Sequence, residues 1–205
     1  MPNQLPDNAT FYAQAVHMMT SLVSQPEAPT NADVARHLGA EESRLAEVFP
    51  DDQQLMVAAL ENAMVLLHDQ CVTSVVQVDP EDPLGQFMAL SDAYLEWANR
   101  HPAEFMILGG LPADRAVASG NLPRYEQSIH ALMLRMLKQA QSKGMIEPDA
   151  DIELLVAASR SFAYGVAQKM ISGNMARWMD TDSGLEAARR ALHLFTRKIM
   201  TPNQS

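Results

Sequence analysis

Apolar residues recur at steps of three and four along almost the whole chain, and alternating runs of period two are missing, so the pattern predicts an all-α protein. Phe11, Ala15, Met18 and Leu22 form a first stripe, which Ser24, Gln25 and Pro26 stop. Thr30 then offers its hydroxyl as a helix N-cap, with Asp33 at the third helical position, and Gly39 closes this short second helix after Val34, Ala35 and Leu38. A third short helix is expected from Glu41 to Val48, broken by Phe49 and Pro50. Asp51 and Asp52 sit where acids favour the start of the next helix, whose apolar face runs through Leu55, Met56, Leu60, Met64, Leu67 and Cys71 toward Val76.

The turn-rich stretch from Asp79 to Gly85 ends that long helix. Beyond it the pattern predicts a helix from Phe87 to Asn99, a short one from Pro102 to the Gly109-Gly110 pair, and a loop over residues 111–122. Pro123 opens a helix with Tyr125, Ile129, Leu132, Met133, Met136 and Leu137 on one side, ended by Lys143 and Gly144. The last two helices are expected over residues 151–172 and 183–200. Leu155, Phe162, Val166 and Met170 line the first, and Leu185, Ala188, Leu192, Phe195 and Ile199 the second. The expectation is about nine helices: a three-helix head over residues 8–52 and a helical bundle over 53–200. Stripes on the two terminal helices suit packing on each other or on a second copy, with Leu155, Phe162, Val166, Leu185, Leu192 and Phe195 as the candidate dimer interface.

Composition narrows the class. The 205 residues hold ample apolar material for a core, and a single cysteine, Cys71, rules out an internal disulfide framework. The opening segment MPNQLPDNAT has neither the basic residues nor the apolar run of a signal peptide or anchor, and the apolar stretches look too short to span a bilayer, so a cytoplasmic protein without a membrane partner is expected. A net charge of −10 disfavours non-specific binding to nucleic acid or anionic lipid. The six histidines, His17, His37, His68, His101, His130 and His193, include no pair at a spacing of three or four, so no metal site is expected. Serine-hydrolase, phosphate-loop and zinc-protease motifs are absent, which points away from an enzyme, and no cofactor is implied.

The layout of three short helices, a long connector and a further bundle resembles the TetR family of bacterial regulators. The local likeness covers residues 11–60: TNADVARHLGA, from Thr30, is similar to the family's second helix, and Leu45, Phe49 and Leu55 fall on the apolar positions that follow. This resemblance implies a helix-turn-helix whose third helix enters the major groove, acting as a homodimer on a palindromic operator, with a small molecule entering the bundle. By the same motif match the DNA-facing positions are Thr30, Glu41, Glu42, Ser43, Arg44, Ala46, Glu47, Val48 and Asp52.

Several of those positions depart from the family pattern. Glu41 stands where Ser or Thr is usual, Ala46 and Val48 where Tyr and His donate to phosphates, and Asp52 where Lys is usual. From Thr30 to Leu60 the bases are Arg36 and Arg44, and the acids are Asp33, Glu41, Glu42, Glu47, Asp51 and Asp52, a balance of two minus six, or −4. Both arginines have an acid three residues away, and Arg44 is the best remaining candidate to read a guanine edge. Weak or atypical operator binding is therefore expected. The alternative is a head that has lost DNA and docks on a basic protein partner.

Within the bundle, Met64, His68, Tyr94, Trp97, Met106, His130, Met133 and Phe162 mix adaptable apolar side chains with a few polar tips. They are candidates to line a pocket for a small lipophilic or aromatic ligand. The plainer reading is that methionines and aromatics fill an irregular helical core.

Overall fold

The computed structural model describes residues 8–23, 29–109 and 121–200, and within them the chain forms ten helices and no strand. The polar N-terminal segment, the stop at residues 24–26, Gly110 and the loop over residues 111–120 lie outside the described residues.

The helices are α1 (Asn8–Leu22), α2 (Asn31–Leu38), α3 (Glu42–Val48), α4 (Asp52–Val76), α5 (Pro83–Arg100), α6 (Pro102–Gly109), α7 (Leu122–Ser142), α8 (Ile152–Ile171), α9 (Asn174–Met179) and α10 (Gly184–Ile199). Their boundaries follow capping chemistry. Thr30 and Asp33 form a reciprocal capping box on α2: the Asp33 amide donates to Thr30 Oγ1 at 3.2 Å, and the Thr30 amide to Asp33 Oδ2 at 3.0 Å. Gly39 then ends α2 in the left-handed conformation, at φ 63°. Asp51 caps α4 by accepting from the Gln54 amide at 2.8 Å, Asp151 caps α8 through the Leu154 amide at 3.0 Å, and Ser183 caps α10 through the Glu186 amide at 3.1 Å.

One boundary and one helix differ from the sequence expectation. Helix α5 starts at Pro83, earlier than Phe87, because Asp82 accepts from the Gly85 amide at 2.9 Å and turns the end of the turn-rich stretch into a helix start. A Cβ at Gly85 would lie 2.3 Å from Asp82 Oδ2, so a larger residue would displace the capping carboxylate. The short α9 was not expected. It sits between Gly173 and Asp180, both left-handed, and its six residues are too few to display a helical period.

The chain divides into two compact units. One comprises Met1–Met64 with Ala103–Pro123, so it extends beyond residues 8–52 to include the first half of α4 and also α6. Its core joins Phe11, Ala15 and Met19 of α1 to Val34 and Ala35 of α2, to Leu45 and Phe49, and to Leu55, Ala59 and Ala63 of α4, with Ile107 and Leu122 closing it. Asn31 ties the start of α2 to the chain after α3 by donating from Nδ2 to the Phe49 carbonyl at 2.9 Å.

The other unit comprises Val65–Pro102 with Arg124–Ser205. Its buried residues include Phe87, Leu90, Leu95 and Trp97 of α5, Met136 and Leu137 of α7, Val156 and Ala167 of α8, and Ala188 and Leu192 of α10. Helix α10 packs on α5 and α8. A polar network reinforces the first contact: Arg189 donates to Asp92 at 3.2 Å and to Glu96 at 3.1 Å, and His193 Nε2 donates to the same Asp92 at 2.8 Å. The partners are partly exposed, so each pair alone contributes modestly.

By length and composition α4 is apolar enough to cross a membrane, more so than the sequence reading supposed. Its buried residues give the reason for that character. Leu55, Ala59 and Ala63 enter the core of the first unit, and Leu67, Cys71 and Val75 are buried in the half of α4 that belongs to the second. Burial pushes the Cys71 thiol up to about 12, so it is an inert core side chain.

Candidate nucleic-acid interface and bundle sites

The length of α3 limits what it can do. Of its seven residues only Leu45 is fully buried, and Phe49 follows it into the core, so these two hold the helix by one side. Glu41, Glu42, Ser43, Ala46 and Glu47 are exposed. That outward face carries three acids and no base. Glu41 occupies the N-cap position but makes no side-chain capping bond.

Both arginines of the head have partners within the protein. The Arg44 guanidinium lies over the Phe11 ring at 4.4 Å from its centroid, and the residue is half-buried along with Val48. Arg36 pairs with the Asp33 carboxylate one turn earlier on α2. Thr30 bonds hold the Asp33 carboxyl below its ordinary value, with Arg36 adding to the effect. The Thr30 hydroxyl is itself committed, donating to Asp33 Oδ2 at 2.7 Å.

Asp52 has a structural occupation that its sequence position did not reveal. Its Oδ1 accepts from the Asn31 amide at 2.5 Å, joining the start of α4 to the start of α2. The Asp52 carboxylate therefore satisfies a helix-start amide while adding negative charge beside it.

The pocket candidates fall in both units. Met64 and Met106 belong to the first, Met106 being exposed, and the others belong to the second. Trp97 and Met133 are buried, and Tyr94 and Trp97 lie with ring centroids 6.3 Å apart. Burial drives the Tyr94 phenol well above its ordinary range, with Tyr164 adding to the shift, so Tyr94 stays neutral. His68 sits between Ser128 and Asp69, whereas His130 is on the surface facing Glu153 at 3.4 Å. Phe162 is 39% exposed and stacks on Phe195 at 4.7 Å between centroids, which places it with the outward faces of α8 and α10.

Those faces refine the dimer candidates. Val166 and Leu192 are buried inside the protomer and have little surface to offer a partner, because they are the residues that pack α8 and α10 into their own bundle. Leu155, Leu185 and Phe195 are partly exposed. The most exposed apolar side chains here are Leu154 at 64% and Leu194 at 55%, with Trp178 of α9 at 60%, and none of the three lies on an expected apolar stripe. A leucine lying off the buried stripe of an otherwise charged helix was the available signal at Leu194.

Three comparisons with known proteins bear on this architecture. A family model described as the tetracyclin repressor-like C-terminal domain matches residues 87–195. A Rhodococcus sp. RHA1 protein of unknown function shares the fold with a TM-score of 0.73 at 19% identity, covering 98% of this chain and 100% of that one. The ketosteroid transcriptional regulator KstR2 of Mycobacterium tuberculosis also gives 0.73, at 16% identity, covering 94% and 96%. The fatty acid degradation regulator FadR of Bacillus halodurans gives 0.71 at 11% identity, covering 90% and 93%. No curated protein matches the chain in sequence. Regulators of this family act as homodimers that bind DNA and small molecules. The matched bundle, together with the all-helical fold and its helix-turn-helix head, makes this chain a member of the TetR family of transcriptional regulators.

Proposed function

We propose that the chain is a cytoplasmic, homodimeric regulator that responds to a small lipophilic molecule and contacts its operator weakly. One observation carries the reading: the exposed face of α3 presents Glu41, Glu42 and Glu47 without a cation, while Arg44 is drawn onto Phe11. Each phosphate neutralised by a cation contributes roughly 0.9 to the slope of log affinity against log salt. A face without cations forgoes that term, so base contacts add to a repulsive background.

The outward side of α8 and α10, centred on Leu154, Phe162 and Leu194, is the proposed contact with the second protomer. Tyr94, Trp97 and Met133 supply the apolar lining and neutral polar tip that a lipophilic ligand needs. KstR2 and FadR are named for ketosteroids and fatty acid degradation, which is compatible with ligands of that polarity.

Fluorescence anisotropy tests the reading, using duplex from the region upstream of the protein's own gene at low and moderate salt. Weak binding that fades with salt is expected. The double change Glu42→Lys with Glu47→Lys should raise affinity for arbitrary duplex and steepen the salt slope by about 3 to 4 per dimer. A folded dimer with no binding at either salt would exclude operator recognition and favour a basic protein partner. Tight, salt-insensitive binding by the native chain would exclude weak contact.

A further inference from the structure

Three side chains in the second unit form a short hydrogen-bonded chain. His68 and Asp69 lie on α4, and Ser128 lies on α7. His68 Nδ1 is 3.2 Å from Asp69 Oδ1, and His68 Nε2 is 3.0 Å from Ser128 Oγ. A carboxylate only accepts, so Nδ1 carries the proton and donates to Asp69. The neutral ring then has Nε2 as its acceptor, and the Ser128 hydroxyl donates to it. That polarity is the one a general base requires of a serine it activates.

The surroundings favour the same assignment. The Tyr125 ring meets the imidazole nearly edge-on, at 5.1 Å between centroids and 61° between planes, and fixes its orientation one turn before Ser128. The His68 side chain is only 19% exposed, while Ser128 is open to solvent. The base is thus sheltered and the nucleophile reachable.

We propose that Ser128 is an activated nucleophile that accepts an acyl group from small activated esters, with His68 as its base. Ser128 Oγ forms the new bond to the acyl carbon, and its proton passes to His68 Nε2. The bond from the acyl carbon to the leaving oxygen breaks, that oxygen keeps the electron pair, and His68 returns the proton to it or to solvent. Ser128 lies within α7, where its own amide bonds inside the helix and cannot serve as an oxyanion donor. Without that donor only an ester with a good leaving group acylates Ser128, and the acyl-serine, whose leaving group is an alkoxide, accumulates as one group per chain. Asp69 is 71% exposed, so water screens it and its part is the smallest of the three.

The test treats the full-length dimer with 4-nitrophenyl acetate, following nitrophenolate release and mapping the acetyl group by peptide mass. A burst of one equivalent per chain at Ser128 is expected, absent in Ser128→Ala and slowed about 100-fold in His68→Gln. Asp69→Asn should change the rate by no more than about threefold. Ser142 provides a control that needs no variant: it is an exposed serine of the same helix whose hydroxyl donates to the Gln139 carbonyl at 2.8 Å. In the native protein Ser128 should label about 100-fold faster than Ser142. Equal labelling of the two serines, a label confined to lysines, or an undiminished rate in a folded His68→Gln protein would each overturn the proposal.

Discussion

Helices α3 and α10 hold their places in the same way and present opposite chemistry to solvent. Each buries one apolar side: Leu45 for α3, and Ala187, Ala188 and Leu192 for α10. Each also has an arginine turned inward, Arg44 onto an aromatic ring and Arg189 onto two carboxylates. Outward, α3 shows Glu42 and Glu47 with no base, whereas α10 shows Arg190, Arg197 and Lys198 around the exposed Leu194. Packing constrains the buried side of a helix and is nearly indifferent to the other. The fold can therefore persist whatever charge the outward side of α3 carries.

The largest effect should come from the side the two helices have in common. Leu45→Ala and Leu192→Ala each empty a buried site and should cost about 2 to 5 kcal/mol by chemical denaturation. A loss below about 1 kcal/mol at either position would mean that the inward sides are not equivalent.

The outward sides should then separate. Leu194→Asp places a charge on the proposed partner face and should weaken dimerisation at least tenfold by analytical ultracentrifugation, at little cost to the folded protomer. Glu47→Asp on α3 is the matching control and should leave the dimer unchanged. Equal effects from the two would remove the distinction drawn between the helices.

The smallest effect concerns the cap of α2. The folded Asp33 carboxyl lies below its ordinary value of 3.8, so the stability it contributes is present above that pH and is lost as pH falls through the lower folded value. The difference in melting temperature between the native protein and Asp33→Asn should accordingly shrink below pH 3.8. A gap that stays constant through the acid range would show that the capping box does not depend on the charge.

Much of the helical framework was legible because its signals are local. Thr30 with Asp33, Gly39, Asp51, Asp151 and Ser183 involve neighbours within a few residues, and the stripes on α4 and α10 repeat often enough to show a period. Helix α9 escaped because six residues show no period, and Leu154, Leu194 and Trp178 escaped because an apolar residue off the stripe has no pattern to belong to. His193 looked isolated along the chain because its partner, Asp92, is 101 residues away.

The sequence by itself determined the helical class, most helix boundaries and the charge of the head, since these depend on composition, periodicity and contacts within one or two turns. Only the tertiary structure decided how particular side chains are employed. It turned Arg44 onto Phe11, gave Asp52 to the amide that starts α2, and separated the buried Val166 and Leu192 from the exposed Leu154 and Leu194. Those outcomes depend on which helices meet and at what rotation. A residue's spacing along its own helix does not contain that information.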